Sequence, residues 1–139
     1  MKVAPSTVTR ELTLEVVAPI DGPTHVGVAM HYDTADPYAV HAVFRVAPDQ
    51  QVAWVFAREL LSAGLEAPSG DGDVRIWPAS HEGCEVVCIA LHSPDGDALL
   101  HAPVDELAEF LSSAYALCPL GREPQLLQID RALGALFAT

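Results

Sequence analysis

The sequence predicts an α+β domain: antiparallel strands in two meanders, seven or so in all, with two to three helices packed on them. Two observations predict it. Short segments alternate apolar and polar residues with a period of two, and clusters of Pro, Gly, Asp and Ser separate them. Strand-like runs then lead into a helical run twice, over residues 8–64 and 74–118, a repeat of layout without residue identity between the halves. A chain of 139 residues fits one domain, expected to span 1–139 with 1–7 frayed, and is long enough to bury a core.

The first expected strand runs from Val8 to Val17, with Val8, Leu12, Leu14 and Val16 on one face against Thr9, Glu11, Thr13 and Glu15. The cluster Ala18-Pro19-Ile20-Asp21-Gly22-Pro23 stops it. A second strand, His25 to Tyr32, puts Val26, Val28, Met30 and Tyr32 on one face. The turn Asp33-Thr34-Ala35-Asp36-Pro37 follows, where Pro37 pushes Asp36 towards extended backbone and the Asp and Thr side chains can cap local N–H groups. The third strand carries Tyr38, Val40, Ala42, Phe44 and Val46 on one face. Val52-Ala53-Trp54-Val55-Phe56 is apolar on both faces and is therefore placed centrally in the sheet. A short helix over Ala57 to Ala63 turns Leu60 and Leu61 inward and stops at Gly64.

Residues 66–73 form a linker rich in turn formers, and a second series begins beyond it. Val74 to Pro78 is a strand, and Ala79–Gly83 reads as a polar loop. Cys84 to His92 is nearly continuously apolar, hence well buried. Ser93-Pro94-Asp95-Gly96 is a hairpin turn, and Asp97 to Ala102 is the return strand. Pro103 is expected at the first helical position, with Asp105 and Glu106 at the positive end of the dipole. Val104, Leu107, Leu111, Ala114 and Cys118 recur at helical spacing, with Phe110 beside them. Residues 119–124 break the helix, and a last one is expected over Asp130 to Ala138. The two meanders form either two sheets or one open barrel. Any strand left at an edge needs protection, and self-association is one means.

Charge narrows the partners. Seven basic against 19 acidic residues give a formal net charge of -12. The cations Lys2, Arg10, Arg45, Arg58, Arg75, Arg122 and Arg131 are scattered singly, which disfavours a phosphate backbone or an anionic membrane surface. No apolar run approaches the roughly 20 residues of a membrane span, and the N-terminus lacks the apolar segment of a secretory signal, so a cytoplasmic protein is expected. Cys84 and Cys88 would lie about 13 Å apart on one strand face, too far for a disulfide or a shared ion. With Cys118 they read as small hydrophobes in a reducing compartment.

No constellation compels a reaction. Asp33-Thr34-Ala35 resembles the loop that supplies the carboxylate of aspartic proteases, but Asp36-Pro37 follows at once and favours a solvated, capped turn. His31 and His41 are expected on neighbouring strands near Asp33 and Asp36, yet a zinc site needs three or four ligands converging within about 2.3 Å of the ion. His81, His92 and His101 lie in or near expected turns and read as solvent-facing. The serines lack a nucleophile elbow, and Gly70-Asp71-Gly72 is not a phosphate loop. Trp54 and Trp77 read as core residues first and as interface residues second. No catalytic, cofactor-binding or metal-ligating residue and no cofactor is therefore assigned, and the residues alone point to no particular partner-binding surface.

Four segments carry a family resemblance: Tyr32 to Ala42, Val55 to Leu61, Gly72 to Pro78 and Val87 to Leu100. In that order they resemble the SsgA-like proteins of actinomycetes, closest to the SsgB branch, from about residue 8 onward. The resemblance implies a non-enzymatic regulator or adaptor of sporulation-specific cell division that acts at the septum by binding division proteins such as the tubulin-like FtsZ, or a septal membrane partner. It also implies a whirly-like fold and a homo-oligomer, trimeric and bell-like. That fold suggests the alternative of a single-stranded nucleic-acid-binding protein, against which the acidic charge argues. The family supplies no catalytic residues to carry over.

Overall fold

The computed structural model describes residues 6–18 and 24–126. The turn expected over 18–23 lies mostly outside these residues, as do most of the expected frayed N-terminus and the helix expected over 130–138. Seven strands are present: β1 (Thr7–Ala18), β2 (His25–Asp33), β3 (Ala39–Ala47), β4 (Gln50–Ala57), β5 (Val74–His81), β6 (Cys84–Ser93) and β7 (Gly96–Pro103). Helix α1 (Arg58–Gly64) follows β4 directly, and α2 (Val104–Leu117) follows β7. A third helix starts at residue 123 and runs to 126, the last described residue.

All strands join one antiparallel sheet in the order β4-β3-β2-β1-β7-β6-β5, so the two meanders meet where β1 pairs with β7. That seam is short: Glu15 pairs with His101, Val16 with Leu100 and Ala18 with Leu99, with a bulge at residue 17. The alternation in each strand sorts side chains between two faces. Leu12, Leu14, Val28, Met30, Tyr32, Val40, Ala42 and Phe44 from the first meander share the inner face with Val74, Ile76, Val87, Ile89, Leu91, Leu100 and Ala102 from the second, and all are buried. The sheet is curled, since Trp54 on β4 and Leu91 on β6 line one apolar groove although they stand near opposite ends of the strand order.

The helices close the inner face. From α2, Leu107, Phe110, Leu111 and Ala114 are buried at helical spacing, and Cys118 follows them. Each of the larger side chains contributes roughly 1.5–3 kcal/mol by leaving water. Arg10 reaches from β1 to the exposed side of α2, with Nη1 2.6 Å from Glu109 Oε2.

The structure corrects several expectations. Val52–Phe56 is not central: β4 is an edge strand, with Val52 38% and Val55 55% exposed. Among the described residues its neighbour is β3 alone, so apolar residues on both faces do not require a central position. The polar loop expected over Ala79–Gly83 is mostly strand, because β5 extends to His81 and the turn consists of Glu82 and Gly83, both at positive φ (51° and 79°). Pro103 is the N-cap of α2, not its first helical residue. Gly64 is the last residue of α1, not a left-handed stop; a Cβ there would lie 2.3 Å from Ile76 Cγ2, so glycine is needed for α1 to approach β5. Pro124 sits in the first turn of the third helix, a position that suits proline, and does not belong to the break. Cys84 is exposed, whereas Cys88 and Cys118 are buried, and all three are free.

Candidate functional site

The stretch from Tyr32 to Gly64 carries several side-chain hydrogen bonds that tie its turn and helix together. The Asp33 carboxylate accepts the Ala35 N–H at 2.9 Å, and the Asp36 N–H donates to the Asp33 carbonyl at 2.9 Å. Asp33 is thus engaged in capping its own turn. His31 and His41 pair directly across β2 and β3, as their spacing suggests. His31 Nδ1 lies 2.6 Å from Thr9 Oγ1 and His41 Nε2 lies 3.4 Å from Asp36 Oδ2, so the two rings take different partners and do not converge.

Arg58 is the residue that sequence reasoning missed. It counts there as one scattered cation, yet its side chain is buried at the start of α1. Its Nη1 donates to Tyr32 Oη at 3.2 Å, to the Ala114 carbonyl at 3.2 Å and to the Cys118 carbonyl at 2.7 Å. Its Nη2 donates to Glu123 Oε2 at 3.0 Å. The guanidinium carbon lies 4.0 Å from the centroid of the Tyr115 ring and 4.9 Å from that of Tyr32. Helix α2 has no basic residue in its last turn, so Arg58 supplies from α1 the positive charge and the donors its terminal carbonyls need. Burial pushes the Glu123 carboxyl up, but the N–H groups of Glu123 and Gly121 together with Arg58 outweigh it and hold the group below its ordinary range. Burial first, then contact with Cys118, pushes the Tyr32 hydroxyl well above its ordinary value against the lowering by Arg58. Tyr32 in turn donates to the Pro37 carbonyl at 3.0 Å, so the turn, both helices and β2 share one polar node. The node ties β2, the Asp33–Pro37 turn, α1 and the segment after α2 together through buried, mutually bonded groups.

Among the described residues, the β4 edge and the outer face of the sheet are accessible. The first is the free edge of β4, where Val52, Ala53 and Val55 are exposed. Val52 and Trp54 also wall an apolar groove of about 220 Å³ with Val16, Val26, Phe44 and Leu100, so Trp54 stands half-buried between the two roles expected of it. The opposite edge is protected: Ser69 exchanges both backbone hydrogen bonds with Ile76 of β5, at 2.8 and 3.0 Å, and Pro78 removes a donor. The second is the outer face of the sheet, where the register places all six histidines. His92 pairs with Asp97 on β7. His101 is half-buried rather than in a solvent-facing turn: it sits within β7, and its Nδ1 is shielded from water without a hydrogen-bond partner among the described residues.

The family model for the Streptomyces sporulation and cell division protein SsgA matches residues 26–123. The chain belongs to the SsgA family. It is similar to the sporulation-specific cell division protein SsgB of Streptomyces coelicolor, 47% identical over 133 residues that cover 96% of this chain and 97% of that one. The SsgB of Frankia casuarinae is 42% identical over 137 residues, covering 99% and 96%. Among solved structures, one from work on SsgB mutations that correlate to longitudinal cell division during sporulation of S. coelicolor superposes with a TM-score of 0.82 at 49% identity, covering 87% of this chain and 95% of that one. The crystal structure of an SsgA-like sporulation-specific cell division protein from Thermobifida fusca gives 0.88 at 39% identity, covering 99% and 100%. The resemblance borne by the four quoted segments therefore holds for the SsgA family as a whole, and this chain has a role in sporulation cell division. No helix among the described residues is long and apolar enough to cross a membrane.

Proposed function

We propose that this SsgA-family chain is a non-enzymatic adaptor that self-associates through the β4 edge and presents the assembled surface to division proteins such as FtsZ at the septum. The observation that carries this reading is strand β4, which pairs on one side only among the described residues, with Val52 and Val55 exposed on it beside an apolar groove. A strand with free backbone groups and apolar side chains is stabilised by pairing with another chain. Relatives named sporulation-specific cell division proteins supply the process. The polar node around Arg58 is consumed by structure, which supports a scaffold over an enzyme.

The alternative of a nucleic-acid platform gains no support from the charges. Arg10 faces Glu106 and Glu109, Arg45 faces Glu11 at 3.9 Å, and Arg58 is buried against Glu123, so no basic groove forms among the described residues. The test is co-sedimentation with FtsZ polymers over a range of salt. Pelleting by the natural chain but not by a Val52→Lys/Val55→Lys variant is expected. No pelleting by either at any salt overturns direct contact, and a mobility shift with single-stranded oligonucleotides at low salt overturns the adaptor reading.

A further inference from the structure

We propose that Glu15, His81 and His101 form a binding site for a divalent transition-metal ion, zinc by preference, on the outer face of the sheet. The three residues come from β1, the end of β5 and β7. One ligand atom from each lies within 4.8 Å of the others. Zinc bonds of about 2.0–2.2 Å in a tetrahedron separate ligand atoms by roughly 3.3 Å, so small side-chain rotations bring the three into its shell. The imidazoles of His81 and His101 already meet edge to face, with centroids 4.9 Å apart.

The independent sign is His101. Its Nδ1 is shielded from water and has no hydrogen-bond partner among the described residues. A shielded imidazole nitrogen left unmatched costs free energy, and native structures rarely tolerate it without an ion or water to complete it. The other histidine pairs have what this one lacks: His31 has Thr9, His41 has Asp36 and His92 has Asp97. Two imidazoles with one carboxylate are also a poor set for magnesium or calcium, which take oxygen ligands, and a good one for zinc. The set leaves a fourth tetrahedral position for water.

The placement gives the ion a mechanical role. Glu15 and His101 are a directly opposed pair of the short β1–β7 seam, and His81 ends the strand before the tight Glu82-Gly83 turn. An ion held by all three ties the seam to the β5–β6 hairpin, joining the meanders by a bond the sheet itself does not supply. The inference is independent of the adaptor role and stands or falls without it.

The test uses the full chain prepared without a histidine tag and stripped with a chelator. Titration with zinc, followed by calorimetry and thermal unfolding, is expected to show saturation at one ion per chain with a raised Tm and unchanged mass. Cobalt in place of zinc is expected to give the visible bands of a tetrahedral site. His81→Ala, His101→Ala and Glu15→Gln should each weaken binding by more than the roughly 10–100-fold that loss of an outer-shell partner costs, while His92→Ala leaves it unchanged. Should His101→Ala fail to fold, His81→Ala at the exposed hairpin end still decides. Absence of saturable binding, binding that survives His81→Ala, or zinc uptake only with a rise in mass would overturn the proposal.

Discussion

Arg58 Nη2 and Glu123 Oε2 lie 3.0 Å apart, and both side chains are almost wholly removed from solvent. The pair holds the chain beyond α2 against the start of α1. Breaking a buried pair by removing one partner leaves the other charge uncompensated, at about 3–5 kcal/mol. Arg58→Ala and Glu123→Ala are each expected to lose stability of that order in urea unfolding. Arg58→Lys should recover only part of it, because an ammonium cannot reach Tyr32, two carbonyls and a carboxylate together.

The same pair gives an acid dependence. Glu123 is held below its ordinary value of 4.5, so its contribution is complete above that value and is lost as pH falls through the depressed folded value. Urea midpoints measured from neutral to acidic pH should fall less steeply for Glu123→Gln than for the natural chain.

Tyr32 gives the opposite edge of the pH range. Its hydroxyl is raised above the ordinary value of 10.0, so the associated stability is complete below pH 10 and declines as the unfolded chain ionises above it. Tyr32→Phe should remove this alkaline loss. It should also destabilise at neutral pH by about 1–3 kcal/mol, since the Pro37 carbonyl loses its donor.

Gly64→Ala sets propensity against space. Alanine favours a helix by up to about 1 kcal/mol over glycine. The added methyl would meet Ile76 Cγ2 at 2.3 Å and Cβ at 2.5 Å, and overpacking costs about 1–3 kcal/mol or more. The clash wins, and thermal unfolding should show a lowered Tm.

Val55→Lys tests the edge. The side chain is 55% exposed, so stability should change by no more than about 0.5 kcal/mol. If the β4 edge mediates the proposed self-association, light scattering should nevertheless show a smaller particle than for the natural chain.

Much of the sheet was legible because its signal is local. Alternation marks the strands of the first meander up to β3, apolar runs mark others, and the Asp33–Pro37 turn declares its own cap. The position of β4 was not, because an edge strand with apolar residues on both faces uses the same residues as a central one. Arg58 escaped because its partners lie 26, 56, 60 and 65 residues away, and nothing near it in the chain separates a buried guanidinium from a solvated one. Glu15, His81 and His101 escaped for a related reason. They meet only once the two meanders join, and no spacing along one strand announces that encounter.

The seam also orders events during biosynthesis. Glu15 has no strand partner on the β7 side until His101 has left the ribosome, so the first four strands emerge with the inward margin of β1 bare. Closure over such a span is slow by nature, and a growing chain in that state is exposed to mispairing with its neighbours. Pairing of β7 with β1 is therefore the contact that closes off the first half's bare margin.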